Sequence, residues 1–413
     1  MDLLEAGSLL DTCVRTGAFD EALDLDALCA KLAAAAPGVP VAARLALEAG
    51  LGVRSLLAQL LHRLRGPVQL PECLRLVGYL RRLGVFSEHQ LRLTFLRCRD
   101  AWLATCIADL DTPAPAARTS SSGDVTTGGG GGSYEHAKRL TDVHRTHLFD
   151  CVMQFRAVFA DTDTPAAPAS GVWRDGTYVG ELPVSGTALV HAWATYRVAA
   201  FLDLLSSAVA GLTEAAALAG VMEQCAYCGA SLGRVGLDFR PLLGPLFGAS
   251  AQRVVATSLN TALDTFDRSL AHHRWTAPQP QAAAASGGRD GEGGPPASLL
   301  AHPPVAVLLN GLLAALNELR HVPMPALRQP LAGALHEALR RAAGALVRCH
   351  RGLDPGDAAA VACRAMAAAL DDTAAPYAAA CFGRIFPGGA DLVDAKQAVE
   401  AARELAALRI GAT

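Results

Sequence analysis

Lysine is nearly missing: Lys31, Lys138 and Lys396 are the only three, so 33 of the 36 basic residues are arginine. We read that bias as compositional drift, like the Ala/Gly/Pro-rich tracts, with no functional weight. Aromatic residues are sparse at 5%, and charged residues reach only 18%. With a net charge of −3, no global field recruits nucleic acid or an anionic membrane, and few rings are present to stack on bases. No stretch alternates β-branched and polar residues between turn residues, so there is no strand signal. Long hydrophobic runs are lacking too. The longest strongly apolar, charge-free stretch lies between His302 and Glu318 and contains two prolines and Asn310. It falls short of the ~20 residues a spanning helix needs. The start, Met1 to Glu5, is acidic and has neither the basic nor the apolar region of a secretory signal. A soluble chain, peripheral to membranes at most, is the expectation. Eleven cysteines, an odd number scattered without small-domain spacing, suit reduced thiols better than a disulfide framework.

What is there is a surplus of Ala, Leu and Val in a chain of 413 residues that is 51% hydrophobic. That length is enough for two or three domains of ~150 residues and a sizeable core. Helical periodicity runs almost throughout. Leu9, Leu10 and Val14 lead to Gly17 at a C-cap position. Pro71 falls in the first turn of a helix that buries Leu70, Leu74, Val77 and Leu80 and ends at Gly84. Ser87 reads as an N-cap, with Gln90 completing a capping box and Phe86 and Leu91 forming a hydrophobic staple. Pro304 opens a helix with Val305, Leu308, Leu312, Leu316 and Leu319 on one face, and Asp354-Pro355 reads as N-cap and first-turn proline. The fold class expected is all-α: an elongated helical rod of stacked antiparallel bundles. The bundles are placed at 1–111, 134–275 and 301–413. Flexible linkers at 112–133 and 276–300 and a Pro/Gly/Thr-rich insert near 162–187, ordered around Trp173 and Tyr178, separate or interrupt them.

Short motifs give little chemistry. Gly229-Ala-Ser-Leu-Gly233 matches the nucleophile-elbow pattern, which needs a strand running into Ser231 and then a helix. The residues before it, Ala215 to Cys228, are helix formers, so a Ser231 hydrolase stands only as a rival reading. Cys225 and Cys228 form a lone C-x-x-C without the second ligand pair of a zinc site, and read as core residues on one helical face. His144 and His147 share a helix face with no carboxylate cluster beside them, so one packs and one is solvated. The glycines at 128–132 lack the strand and the Lys-Ser/Thr of a phosphate cradle and read as linker. No catalytic residue, metal ligand or cofactor is expected.

Residues 63 to 99 carry eight arginines against Glu72 and Glu88, an excess of six positive charges. Three readings stand: a nucleic-acid surface, a solvated face of amphipathic helices, or a docking face for an acidic partner or anionic lipid headgroups. The candidate interaction surface is Arg75, Arg81, Arg82, Arg92, Arg97 and Arg99.

Longer segments carry a resemblance. LPECLRLVGYLRRLGVFSE at 70–88 and LTFLRCRDAWL at 93–103 are preceded by DTCVRTG at 11–17 and DEALDL at 20–25. They are followed, in order, by HRTHLFD at 144–150, GLDFR at 236–240, HRW at 273–275, HPPVA at 302–306, LNELR at 316–320 and CFGRIFPGG at 381–389. Together these resemble the Dor1-like family, which supplies a subunit of the conserved oligomeric Golgi complex. The resemblance implies a non-enzymatic part of a hetero-octameric tether on the cytosolic face of the Golgi that captures retrograde intra-Golgi vesicles. It implies partnership with the other subunits, notably subunit 1, and with SNAREs, Rab GTPases and coiled-coil tethers, and a helical-rod fold. Loss of such a complex mislocalises Golgi glycosylation enzymes. In the family, the part resembling Met1 onward normally follows a further N-terminal helical region, which is expected to be missing here. A helical-repeat adaptor in another assembly is the remaining alternative.

Overall fold

The computed structural model describes residues 5–111, 130–160, 172–174, 177–179, 185–275, 296–354 and 357–408. The fold is all-α. Helices α1 (Ala6–Thr16), α2 (Phe19–Ala35), α3 (Pro40–Leu64), α4 (Leu70–Leu83) and α5 (Glu88–Asp111) come first. Then follow α6 (Gly130–Val143), a π-helical turn (His144–Leu148), α7 (Phe149–Phe159), α8 (Gly186–Ala210), α9 (Ala215–Gly233) and α10 (Leu243–Ala271). The last third holds α11 (Pro303–His321), α12 (Arg328–Arg351), α13 (Ala358–Ala369), a second π-helical turn (Leu370–Ala374) and α14 (Ala375–Ile385). Short helices α15 (Ala390–Val393), α16 (Ala395–Ala398) and α17 (Glu400–Ala407) complete it.

Local sequence sets most of these borders. Gly17 ends α1 and Gly84 ends α4 with φ of +81° and +62°, a left-handed cap that costs a residue with a Cβ far more than glycine. The capping box forms as the sequence expects: the Ser87 N–H donates to Gln90 Oε1 at 3.0 Å, and the Gln90 N–H donates to Ser87 Oγ at 3.3 Å. Pro304 lies in the first turn of α11, whose Val305, Leu308, Leu312, Leu316 and Leu319 are buried.

Four local readings change. Leu70 and Leu74 of α4 are 38% and 46% exposed rather than buried, and Cys73, Leu76, Val77 and Leu80 form its core face. α6 begins at Gly130 rather than near Tyr134, so the helix enters the glycine run. The N-cap of α13 is Asp357, not Asp354, and Pro355 lies outside the described residues. Around Trp173 and Tyr178 the chain pairs as an antiparallel hairpin, β1 (Val172–Arg174) on β2 (Thr177–Val179), with Trp173 opposite Tyr178. Strands of three residues are too short for alternation to be visible in the sequence.

The described residues fall into two compact units. The first lies within Met1–Asp124, Lys138–Leu205 and Tyr227–Phe239, the second within Val125–Ala137, Ser206–Ala226 and Arg240–Thr413. Three of these borders fall within α6, α8 and α9 and one just before Arg240. Most of the two linkers the sequence reading uses as bundle borders, 112–133 and 276–300, lies outside the described residues.

In the first unit α1, α2 and α3 pack on one another over Leu10, Val14, Phe19, Leu56 and Leu60. Gly52 allows the approach of α1 to α3, since a Cβ there would lie 1.9 Å from Leu10 Cδ2. Phe95 of α5 meets the α7 rings of Phe155 and Phe159 edge-on, with centroids 6.0 and 5.7 Å away.

In the second unit α10 packs on α11. A Cβ on Gly311 would come within 2.5 Å of Ala262 Cβ, so this crossing depends on glycine. Helices α12, α13 and α17 pack together, and Arg403 of α17 grips Asp371 through two hydrogen bonds of 2.9 and 2.7 Å.

Candidate interaction surface

The arginine-rich segment is carried by α4 and α5. On α4, Cys73, Leu76, Val77 and Leu80 face the core, which turns Arg75, Arg81 and Arg82 outward; all three are exposed. Arg82 donates to Asp20 at 3.0 Å and to Asp24 at 2.7 Å, both on α2. Tyr79 donates its hydroxyl to the other Asp20 oxygen at 2.7 Å. That bond, followed by burial, pushes the phenol above its ordinary range. Arg81 donates to Glu88 at 2.6 Å and to the Val158 carbonyl at 3.3 Å, and its guanidinium lies 5.4 Å from the Phe159 ring centre.

The helix α5 sorts its arginines differently. Arg97 is exposed, but Arg92 is 7% and Arg99 only 2% exposed. Neither can belong to a docking surface, and the sequence reading is corrected for both. Their spacing explains it. Arg92, Leu96, Arg99 and Leu103 follow i, i+4, i+7, i+11 along one helix face, and Leu96 and Leu103 are core residues. A guanidinium on such a face persists only if it is partnered. Arg99 donates to the carbonyls of Leu64 and Gly66 at 3.1 and 2.7 Å, satisfying backbone acceptors left where α3 ends. Gln154 of α7 donates to the Val68 carbonyl at 2.9 Å in the same connection. Arg92 places its guanidinium 5.9 Å from the Phe159 ring centre.

Much of the local excess of positive charge is therefore answered by α2, by Glu88 and by backbone carbonyls. Of the six residues, Arg75 and Arg97 are the exposed ones for which no ion pair is formed with α2 or Glu88.

The other sequence motifs sit in the packing. His144 opens the first π-helical turn, is 1% exposed, and lies against the Phe201 ring with centres 4.5 Å apart. Its Nδ1–H donates to the Leu140 carbonyl at 2.8 Å. Burial, aided by Arg197 and His147, takes its pKa down to about 4, so the ring is neutral near pH 7. His147 is half-buried, edge-on to Trp102. Cys225 and Cys228 are both fully buried in α9. Ser231 lies inside α9 as well, so no strand leads into it and the elbow geometry does not form. Among the described residues, no group of three or more His, Cys, Asp or Glu is arranged to hold a metal ion. No described helix is long and apolar enough to cross a membrane.

Two surface features escaped the sequence reading. Leu47 and Leu51, one turn apart on α3, are 69% and 59% exposed. In the second unit, α11 and α14 border a cavity of about 570 Å³. The signal for that groove lay in two helical stripes, Leu313–Asn317–Arg320 and Tyr377–Cys381–Arg384, but which stripes face each other is a tertiary property.

Comparison with known proteins covers most of the chain. A family model described as the Dor1-like family matches residues 1–122 and 123–264. The chain is 33% identical over 360 residues to the conserved oligomeric Golgi complex subunit 8 of Homo sapiens, covering 85% of this chain and 54% of that protein. The protein of the same name from Drosophila melanogaster is 30% identical over 372 residues, covering 85% and 58%. The one from Dictyostelium discoideum is 28% identical over 331 residues, covering 78% and 38%. The chain thus spans about half the length of most of the curated relatives it matches.

Proposed function

This chain belongs to the Dor1-like family, and from that premise we propose that it acts as a non-catalytic subunit of a Golgi tethering complex. The observation that carries the reading is similarity that runs through 85% of the chain to relatives named as subunit 8 of the conserved oligomeric Golgi complex. In this reading the chain works at the cytosolic face of the Golgi and takes part in intra-Golgi retrograde vesicle capture. It assembles with the other subunits of the complex, subunit 1 among them, and meets SNAREs, Rab GTPases and coiled-coil tethers through that assembly. Its effect on glycosylation is indirect, through the recycling of Golgi enzymes.

The physical features agree with a scaffold. Tethering asks for many contacts of modest strength acting together rather than a reaction centre. The helices supply outward apolar residues, Leu47 and Leu51 of α3 among them, of the kind that mark protein interaction sites when they cluster. His144 and the Cys225–Cys228 pair are buried in helix packing, and Ser231 lies within α9.

A localisation experiment tests the reading. Expressed at low level with a fluorescent tag, the chain should overlap a Golgi marker. After selective permeabilisation of the plasma membrane it should be reached by antibody, as a protein on the cytosolic face would be. A diffuse signal, or one on another organelle, contradicts the proposal.

A further inference from the structure

The tip of the hairpin that joins α2 to α3 is apolar without a break. Residues 32–43, LAAAAPGVPVAA, hold no polar or charged side chain. Folding leaves much of this run outside. Ala35, Pro37, Pro40 and Ala43 are exposed, and Val39 and Val41 are 48% and 49% exposed. A Cβ on Gly38 would meet no atom within 4 Å. The neighbours of the hairpin pack well below its tip. Arg82 of α4 meets α2 at Asp20 and Asp24, toward the other end of that helix. Gly7, near the start of α1, lies beside Glu48 of α3, since a Cβ there would be 3.1 Å from Glu48 Oε2. Pro40 stands roughly 12 Å further along α3 than Glu48, so the tip projects.

The charges that flank the tip are of one sign. Lys31 on α2 and Arg44 on α3 are both exposed, and the sequence holds no Asp or Glu between Asp26 and Glu48. Arg44 donates to Glu48 at 3.2 Å but stays 81% exposed, and an ion pair so open to water is worth little. In a chain of net charge −3, this end of the hairpin is locally positive. The backbone of the turn is also largely satisfied from within. Pro37 and Pro40 have no N–H, and those of Ala36, Val39 and Ala42 donate to the carbonyls of Leu32, Ala36 and Val39, each at 3.1 Å. Most N–H groups between Ala36 and Ala42 therefore need no water.

We propose that the α2–α3 tip is a membrane contact: Val39, Val41 and their neighbours enter the interface of an anionic bilayer, while Lys31 and Arg44 meet its headgroups. Three features select this occupant. Backbone that leaves water for lipid must find its hydrogen bonds internally, as this turn does. Basic residues on both arms suit the negative potential of anionic headgroups. Arg44 lies roughly 6 Å along α3 from Pro40, within the ~5–10 Å to which interfacial segments sink, so its side chain reaches the headgroup layer when the tip is immersed. A protein partner would have to offer a hollow to a projecting tip, whereas a bilayer yields to one. The side chains at the tip are small, so the contact is weak alone and gains strength when several act together. It is a property of this chain and stands whichever complex the chain joins.

Flotation of the purified chain with vesicles of phosphatidylcholine and phosphatidylserine in equal parts tests this, with pure phosphatidylcholine vesicles for comparison. Val39 is the N-cap of α3 and Val41 lies in its first turn, positions that favour Asp. Val39→Asp with Val41→Asp therefore removes the apolar contact while supporting the helix. Lys31→Gln with Arg44→Gln removes the flanking cations, each worth about fivefold in affinity. Val41→Trp adds a ring suited to the interface and should bind more tightly, a gain that misfolding does not mimic. Circular dichroism confirms that all three keep their helix content. The unaltered chain should float with the mixed vesicles in preference to the pure ones, and the Asp and Gln variants should each bind at least tenfold more weakly, about 1.4 kcal/mol. Absence of binding by the unaltered chain, or unchanged binding by the Asp variant, would overturn the proposal. So would a loss confined to Arg75→Glu with Arg97→Glu, which would move the contact to α4 and α5. Unchanged vesicle binding by the Asp variant together with loss of a co-purifying protein would make the tip a protein site instead.

Discussion

Arg99 of α5 donates to the carbonyl oxygen of Gly66 at 2.7 Å while remaining 2% exposed. One guanidinium thereby ties the end of α3, and the connection that follows it, to the core of the first unit. Replacement by Met keeps the length of the side chain but leaves the Leu64 and Gly66 carbonyls without their donor. The expected cost is about 2–4 kcal/mol of stability, read from the midpoint of urea unfolding. A loss below ~0.5 kcal/mol would show that the carbonyls find another partner.

Arg82 bridges Asp20 and Asp24 on α2. All three side chains are at least half as exposed as in the open chain or nearly so, so each pair adds only about 0–1 kcal/mol. Arg82→Ala should therefore cost little. Arg82→Glu should cost more, about 1–2 kcal/mol, because it sets a third carboxylate beside two others. Adding Asp20→Arg to that variant should recover part of the loss. The thermal midpoints of the three variants decide the order.

This bears on how the arginine face is tested. Charge reversal at Arg81 and Arg82 removes internal ion pairs, so a loss of membrane or subunit recruitment in that variant would mix folding with docking. Arg75→Glu and Arg97→Glu avoid those pairs. If the face binds an acidic partner or anionic lipid, that double variant should bind anionic vesicles or partner subunits more weakly at unchanged helix content. Unchanged binding removes the face from consideration.

His144 makes stability depend on pH. Its pKa falls from 6.5 to about 4 on folding, chiefly through burial. Between those values the unfolded chain holds the proton and the folded chain does not, so acid favours unfolding. The stabilisation present above about pH 6.5 should drain away as pH falls toward 4, by roughly 3 kcal/mol in full. His144→Phe retains a ring against Phe201 but cannot titrate. The difference in thermal midpoint between the two proteins should shift in the variant's favour from pH 7 to pH 4.5, and a constant difference would refute the assignment.

The helices were legible because their signals are local. The Ser87–Gln90 box, Gly17, Gly84 and the Val305–Leu319 face each need only a few neighbouring residues to be recognised. Local signals also misled. Asp354-Pro355 has the composition of a helix start, yet α13 begins at Ala358, and the glycines from Gly130 enter α6 although their propensity opposes it. The arginine face was half legible. Counting charge along the sequence placed eight arginines together but could not see Asp20 and Asp24 arriving from α2. The i, i+4, i+7 spacing with Leu96 that carries Arg92 and Arg99 into the core is present in the sequence, but a charge count does not register it. The groove beside Arg320 and Arg384 was out of reach, because more than fifty residues of chain separate its two walls.

Purification of the chain with its partners is the direct test of membership in a Golgi tethering assembly. Expressed with a tag at its natural level and isolated under mild conditions, the chain should bring down the other subunits of the conserved oligomeric Golgi complex in comparable amounts. Recovery of none of them, or of an unrelated set of proteins in their place, would contradict the account.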